Sequence, residues 1–161
     1  AVVKGRMEPV FLYGRFSIFI DYAHNAMALE SLLNTVKEYS SGRVICIFGC
    51  GGNRSKDRRF EMGEVSGKLA DFTIITTDNP RFEEPKEIMK DIETGILKTD
   101  GKYVMVEDRK EAVRYAITNA KEKDMIILAG KGHEDYQEIC GVKYPMSERE
   151  LIEGVWKEIN S

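Results

Sequence analysis

The amino-acid sequence predicts an α/β fold: a doubly wound, mostly parallel, Rossmann-like sheet flanked by helices on both faces, with one antiparallel edge strand. Three observations predict it. Five short runs, at 16–20, 44–48, 72–76, 103–106 and 125–129, are almost continuously apolar, as strands buried on both faces are. Between them the apolar residues return at helical spacing, so each intervening segment carries one stripe that can cover a sheet. Strand followed by helix, repeated along the chain, leaves a parallel sheet as the economical topology.

The elements follow in order. Met7 to Leu12, then Tyr13-Gly14 and the run at 16–20, reads as a hairpin that supplies the antiparallel edge. Ala26, Leu29, Leu32, Leu33 and Val36 form the first helical stripe; Met62, Val65 and Leu69 form the second, and Ile88, Ile92 and Ile96 the third. Pro85 suits the first position of that third helix. Asp108 with Glu111 resembles a capping box opening the helix of Val113, Ala116, Ile117 and Ala120. Ser147 with Glu150 is a second box, before Leu151, Ile152, Val155 and Trp156. Residues 137–144, with Gly141 between two short runs, form a late hairpin, and the first ten or so residues read as a tail from something upstream.

Composition narrows the function classes. The 161 residues suit one domain, and with 42% hydrophobic residues a core needs neither disulfides nor a metal. Twenty-four basic against 27 acidic residues give a net charge of −3, which argues against nucleic acid as a partner. No apolar run approaches the roughly 20 residues that span a bilayer, so no membrane association is expected. Three cysteines without a C-x-x-C pair fit a reducing, cytoplasmic setting.

In an open parallel sheet, ligands bind beyond the carboxyl ends of the strands. Four of the five strand ends here carry clustered polar groups: Asp21-Tyr22-Ala23-His24-Asn25, Gly49-Cys50-Gly51-Gly52-Asn53-Arg54, Asp78-Asn79-Pro80-Arg81, and Gly130-Lys131-Gly132-His133-Glu134-Asp135. Each has a plainer reading. Asp21 and His24 can cap the first helix, the glycines can make a tight turn, Asp78-Asn79-Pro80 can be a turn with Arg81 a solvated charge, and His133 can be an ordinary loop histidine. The glycine loop is not the dinucleotide G-x-G-x-x-G pattern, and no G-x-x-x-x-G-K-[ST] loop occurs. Two histidines and no spaced set of four ligands leave no zinc site. In combination, Arg54 and Arg81 offer planar forks for carboxylates, while Asp78 and Glu134 offer anions for ammonium groups. A pocket of both signs at a sheet rim suits a zwitterionic amino acid.

These motifs, with Gly5-Arg6-Met7-Glu8 before them, occur in the order found in the C-terminal domain of the Mur ligases, which the sequence resembles over residues 5–136 at least, closest to the MurE branch. Ala26 departs from the proline frequent at that point of the family, which concerns only helix entry. The resemblance implies residues 1–14 as a hinge segment from a central ATPase domain and 15–161 as the third domain of an ATP-dependent amide-bond ligase, cytoplasmic and bacterial. Its central domain would carry the P-loop, the magnesium sites and the acyl-phosphate chemistry on UDP-MurNAc-L-Ala-D-Glu, so this chain would supply no catalytic residue and hold no ATP or Mg2+ by itself. Arg6 matches the position that reaches the nucleotide phosphates, Asp21 the one that holds the ribose, and His24 a group near the nucleotide. Arg54, Asp78, Asn79, Arg81, Gly130 and Glu134 match the amino-acid pocket. Asp-Asn-Pro-Arg is associated in the family with meso-diaminopimelate, whose second carboxylate lysine lacks. Alternatives are a lysine-adding relative, the third domain of a folylpolyglutamate synthetase, and a stand-alone amino-acid-binding module; a G-x-x-G-K-[ST] loop upstream would distinguish the last.

Overall fold

The structure, a computed structural model, describes residues 14–131 and 134–161 and the backbone of 8–12. Strand β1 (Glu8–Leu12) pairs antiparallel with β2 (Ser17–Asp21). Strands β2, β3 (Val44–Phe48), β4 (Phe72–Ile75), β5 (Tyr103–Met105) and β6 (Met125–Ala129) run parallel, in the spatial order β1-β2-β6-β3-β4-β5. The central pair β3 and β6 is buried at every residue, as continuous apolar runs require. The run at 103–106 behaves differently. It is the outer strand, with Tyr103 and Val104 half-buried and Met105 exposed, because only one neighbour pairs with it. The late hairpin is present as β7 (Tyr136–Ile139) and β8 (Val142–Pro145), a separate two-stranded sheet.

Helices α1 (Ala26–Tyr39), α2 (Asp57–Leu69) and α3 (Pro85–Ile96) bury Leu29, Leu33, Met62, Ile88 and Ile92 against one face; α4 (Arg109–Thr118) and α5 (Glu148–Ile159) bury Val113, Ile117, Ile152 and Val155 against the other. Asn25 is the cap of α1, its Oδ1 accepting from the Ala28 N–H at 2.8 Å, so Asp21 and His24 are left for other work. Asp108 and Ser147 cap α4 and α5 through the N–H groups of Glu111 and Glu150. The first box is half made, because the Glu111 carboxylate turns to Arg114. Helix α2 departs from its sequence stripe: Val65 and Leu69 are only half-buried, while Gly63, Ser66 and Gly67 are buried with Met62. A Cβ on Gly63 would lie 2.2 Å from the Ile92 carbonyl oxygen, so small residues let α2 and α3 approach closely. Among the described residues no helix is long and apolar enough to cross a membrane.

Candidate functional site

Since β2, β6, β3 and β4 point the same way, the loops after them converge on one sheet edge. The β3 and β4 loops are locked together through their backbones. The Gly52 N–H donates to the Asn79 carbonyl at 2.8 Å, and a Cβ on Gly52 would fall 1.8 Å from the Pro80 carbonyl oxygen, so only glycine fits there. Arg81 is itself in the left-handed region (φ 53°), which costs a non-glycine residue roughly 1 kcal/mol. What holds it there is the hairpin: the Arg81 N–H donates to the Glu138 carbonyl, and the Cys140 N–H donates to the Arg81 carbonyl.

This backbone aims the Arg81 side chain across the glycine loop. Its Nη1 donates to the Gly52 carbonyl at 3.1 Å and the Asn79 carbonyl at 3.4 Å, and its Nε lies 3.3 Å from Glu138 Oε1. An added Cβ on Gly51 would meet Arg81 Nη1 at 2.7 Å and Arg54 Cγ at 3.4 Å, so the two arginines flank a single glycine. Arg54 is exposed and, among the described residues, donates locally to the Asn53 carbonyl. Arg81 is thus a fixed guanidinium and Arg54 an adjustable one.

Beneath them sits Lys131, fully buried. Its Nζ donates to Asn79 Oδ1 and the Tyr136 carbonyl, both at 2.8 Å, and lies 3.0 Å from Asp78 Oδ1 and 3.6 Å from Glu134 Oε1. Asn79 is the hub: its Oδ1 also accepts from the Glu138 N–H, and its Nδ2 donates to Glu134 Oε1 at 3.3 Å. One buried cation thereby holds two carboxylates in place. Gly130 opens this loop at φ 111°, a conformation that favours glycine.

At the end of β2, Asp21 is buried and its Oδ2 accepts from the Ala23 N–H at 2.8 Å, while Oδ1 has no partner among the described residues. His24 is exposed, its Nδ1 within 3.1 Å of the Tyr22 carbonyl and its ring edge-on to Tyr22 at 5.0 Å. The Glu134 charge, then burial, raises the Tyr22 phenol above its ordinary value, so it stays protonated. Burial pushes Cys50 up to about 12, with its Sγ 3.8 Å from Met62 Sδ, which makes it a packing residue and no nucleophile. Among the described residues no group of three or more His, Cys, Asp or Glu could hold a metal ion.

The family model for the Mur ligase glutamate ligase domain matches residues 5–132. The chain belongs to the Mur ligase family. It is 53% identical over 156 residues to the UDP-N-acetylmuramoyl-L-alanyl-D-glutamate--2,6-diaminopimelate ligase of Caldanaerobacter subterraneus subsp. tengcongensis, covering 97% of this chain and 32% of that protein. The ligase of the same name from Aquifex aeolicus is 46% identical, over 95% of this chain and 31% of the relative. A solved structure of a ligase of that name superposes with a TM-score of 0.91 at 33% identity, covering 98% of this chain and 32% of that one. This chain therefore spans about a third of the length of the relatives it matches.

Within this Mur ligase domain, Arg54, Asp78, Asn79, Arg81, Gly130 and Glu134 converge on the β3, β4 and β6 loops, and Asp21 and His24 lie on the neighbouring β2 loop. Arg6 and His133 lie outside the described residues. Sequence reasoning gave no role to Lys131, Glu138, Arg59 or Arg109, although Lys131 lies in one of the strand-end motifs it singled out. Buried Arg59 pairs with Glu83 at 2.7 Å and Asp91 at 2.9 Å, and Glu83 also accepts from the Asn53 N–H, tying the glycine loop to α3. Arg59 and Arg109 each sit one turn ahead of an apolar stripe residue, Met62 and Val113. A cation in register with a buried stripe was the available signal.

Proposed function

We propose that this domain recognises the incoming amino acid and clamps the nucleotide in an ATP-dependent ligase that adds meso-diaminopimelate to UDP-MurNAc-L-Ala-D-Glu. Arg81, with Arg54 opposite it across Gly51, takes the extra carboxylate of diaminopimelate. Asp78, Glu134 and the Gly130 carbonyl receive the ammonium groups, and Asn79 holds Glu134 in place for them. The observation that carries this reading is the anchoring of Arg81: a guanidinium strapped by Gly52, Asn79 and Glu138 in a strained backbone position is organised for a planar anion before the anion arrives. The relatives' names, which specify 2,6-diaminopimelate, agree with it.

On the nucleotide side, Asp21 Oδ1, without a partner among the described residues, suits a ribose hydroxyl, and a buried acceptor of this kind gains most from a donor supplied by a ligand. His24 stands at the mouth of the same loop, and Arg6 would reach the phosphates. Magnesium, the P-loop and the acyl-phosphate chemistry would be supplied by the part of the ligase outside this chain: the D-Glu carboxylate of UDP-MurNAc-L-Ala-D-Glu would be phosphorylated by ATP with release of ADP, and the amine would then displace phosphate from the acyl phosphate. Holding amine and acyl phosphate together makes that attack effectively unimolecular. The test is ligation by the full-length enzyme with meso-diaminopimelate or L-lysine as acceptor. A preference of 100-fold or more for diaminopimelate is expected, because a site built for a buried polar group rejects the analogue lacking it. Equal use of the two, or a preference for lysine, would refute the assignment.

A further inference from the structure

We infer that Arg109 is a positioning residue that, held by Glu148, sets the distance between the β4 and β6 loops and so the width of the amino-acid pocket. The inference rests on the amino-acid reading of those loops. Strands β4 and β6 are not neighbours, since β3 runs between them, so they stand about 10 Å apart at the usual strand spacing. No ladder hydrogen bond can join them. Arg109, the first residue of α4, does so from the α4/α5 side of the sheet. Its Nη1 donates to the Thr77 carbonyl at 3.0 Å and its Nη2 to the Ala129 carbonyl at 3.4 Å. Those carbonyls belong to the residues directly before Asp78 and Gly130, where the two halves of the pocket begin.

Glu148, at the start of α5, fixes the guanidinium from behind: Nε and Nη2 both lie 2.8 Å from its Oε2, and both side chains are buried. A role in stability alone fits this geometry poorly. Buried ion pairs can be replaced by apolar side chains at little cost or with a gain. Here, moreover, Glu148 Oε1 is buried with no partner among the described residues, a further cost. What an apolar pair cannot supply is a rigid planar bridge between two backbone carbonyls. Lysine could not supply it either, having a single point charge at the end of its chain.

The experiment uses the full-length ligase and replaces both partners, Arg109→Met with Glu148→Met. A pair that serves stability alone should then be dispensable, whereas the bridge should be lost. The expected result is a folded enzyme with a Tm near that of the wild type, a KM for meso-diaminopimelate raised at least tenfold, a KM for ATP within twofold, and a diaminopimelate-to-lysine preference reduced at least fivefold. Hydrogen exchange should report the same change without any substrate: amides of the pocket loops, such as Gly52, should exchange at least tenfold faster while those of β3 and β6 stay protected. Arg109→Lys, which keeps the charge but not the bridge, guards against a double variant that fails to fold and should raise the same KM to a similar extent. A folded variant whose diaminopimelate KM and loop exchange both stay within twofold of wild type would overturn the inference. A wild-type enzyme that does not use diaminopimelate would overturn the substrate reading instead, and the exchange result would still decide whether Arg109 holds the loops.

Discussion

The two halves of the loop edge differ in how fully their polar groups are committed. On the β3, β4 and β6 side, Lys131, Asn79, Arg81, Glu134 and Glu138 bind one another and the backbone. On the β2 side, Asp21 holds one N–H with one oxygen and His24 stands exposed. On the proposed reading, the difference separates two strategies of recognition. A small zwitterion must be matched at several points at once, which rewards a rigid, prewired pocket. A nucleotide shared with another domain can be met by a few groups that find their partners only on assembly.

The largest effect should come from breaking the wired half at its centre. Lys131→Met would leave Asp78 and Glu134 without their buried cation and cost roughly 3 kcal/mol of stability; a Tm within 2 °C of wild type would mean the network is decorative. Next is Gly52→Ala. Its Cβ has no room beside the Pro80 carbonyl, so the β3 and β4 loops must part, and we expect the amino-acid KM to rise about tenfold or more with ATP affinity within twofold. Equal loss of both would erase the distinction between the halves.

Asp21→Asn probes the open half. The amide oxygen can still accept from Ala23, so the fold should be as stable as wild type or somewhat more so, while the KM for ATP rises about tenfold and that for the amino acid does not move. Acid titration gives the smallest effect. The Arg59 side chain, then the Asn53 N–H, hold the Glu83 carboxyl below its ordinary range. A depressed carboxyl stabilises the fold above about pH 4.3 and loses that contribution as pH falls through its lowered value. Glu83→Gln should therefore flatten the acid limb of the Tm profile below that pH and leave the neutral limb parallel to wild type; an unchanged acid limb would exclude Glu83 as its source.

Much of this was legible in the sequence. The apolar runs at 44–48 and 125–129 marked the central strands because continuous burial needs continuous hydrophobicity, and the glycine-flanked and charged strand ends marked the loop edge. The edge character of β5 was not legible, since three apolar residues look alike whether one or two strands pair with them. Lys131 lay in a motif that was noticed, yet its burial depends on Asn79 and Tyr136, brought together only by the fold. The α2 face was read only in part: Val65 and Leu69 do pack half-buried against the core, but Gly63 is buried for closeness to α3 and Ser66 through its hydroxyl contact with Thr73 of β4, which a hydrophobic count does not see.

The central claim is that Arg81 reads a carboxylate which lysine lacks. Its most direct test is the ratio of kcat/KM for meso-diaminopimelate to that for L-lysine in the full-length ligase, wild type against Arg81→Ala. We predict that the ratio falls at least 100-fold, with lysine turnover changed by less than about fivefold. Equal losses for both acceptors would show that Arg81 merely braces the loop, and would contradict the account.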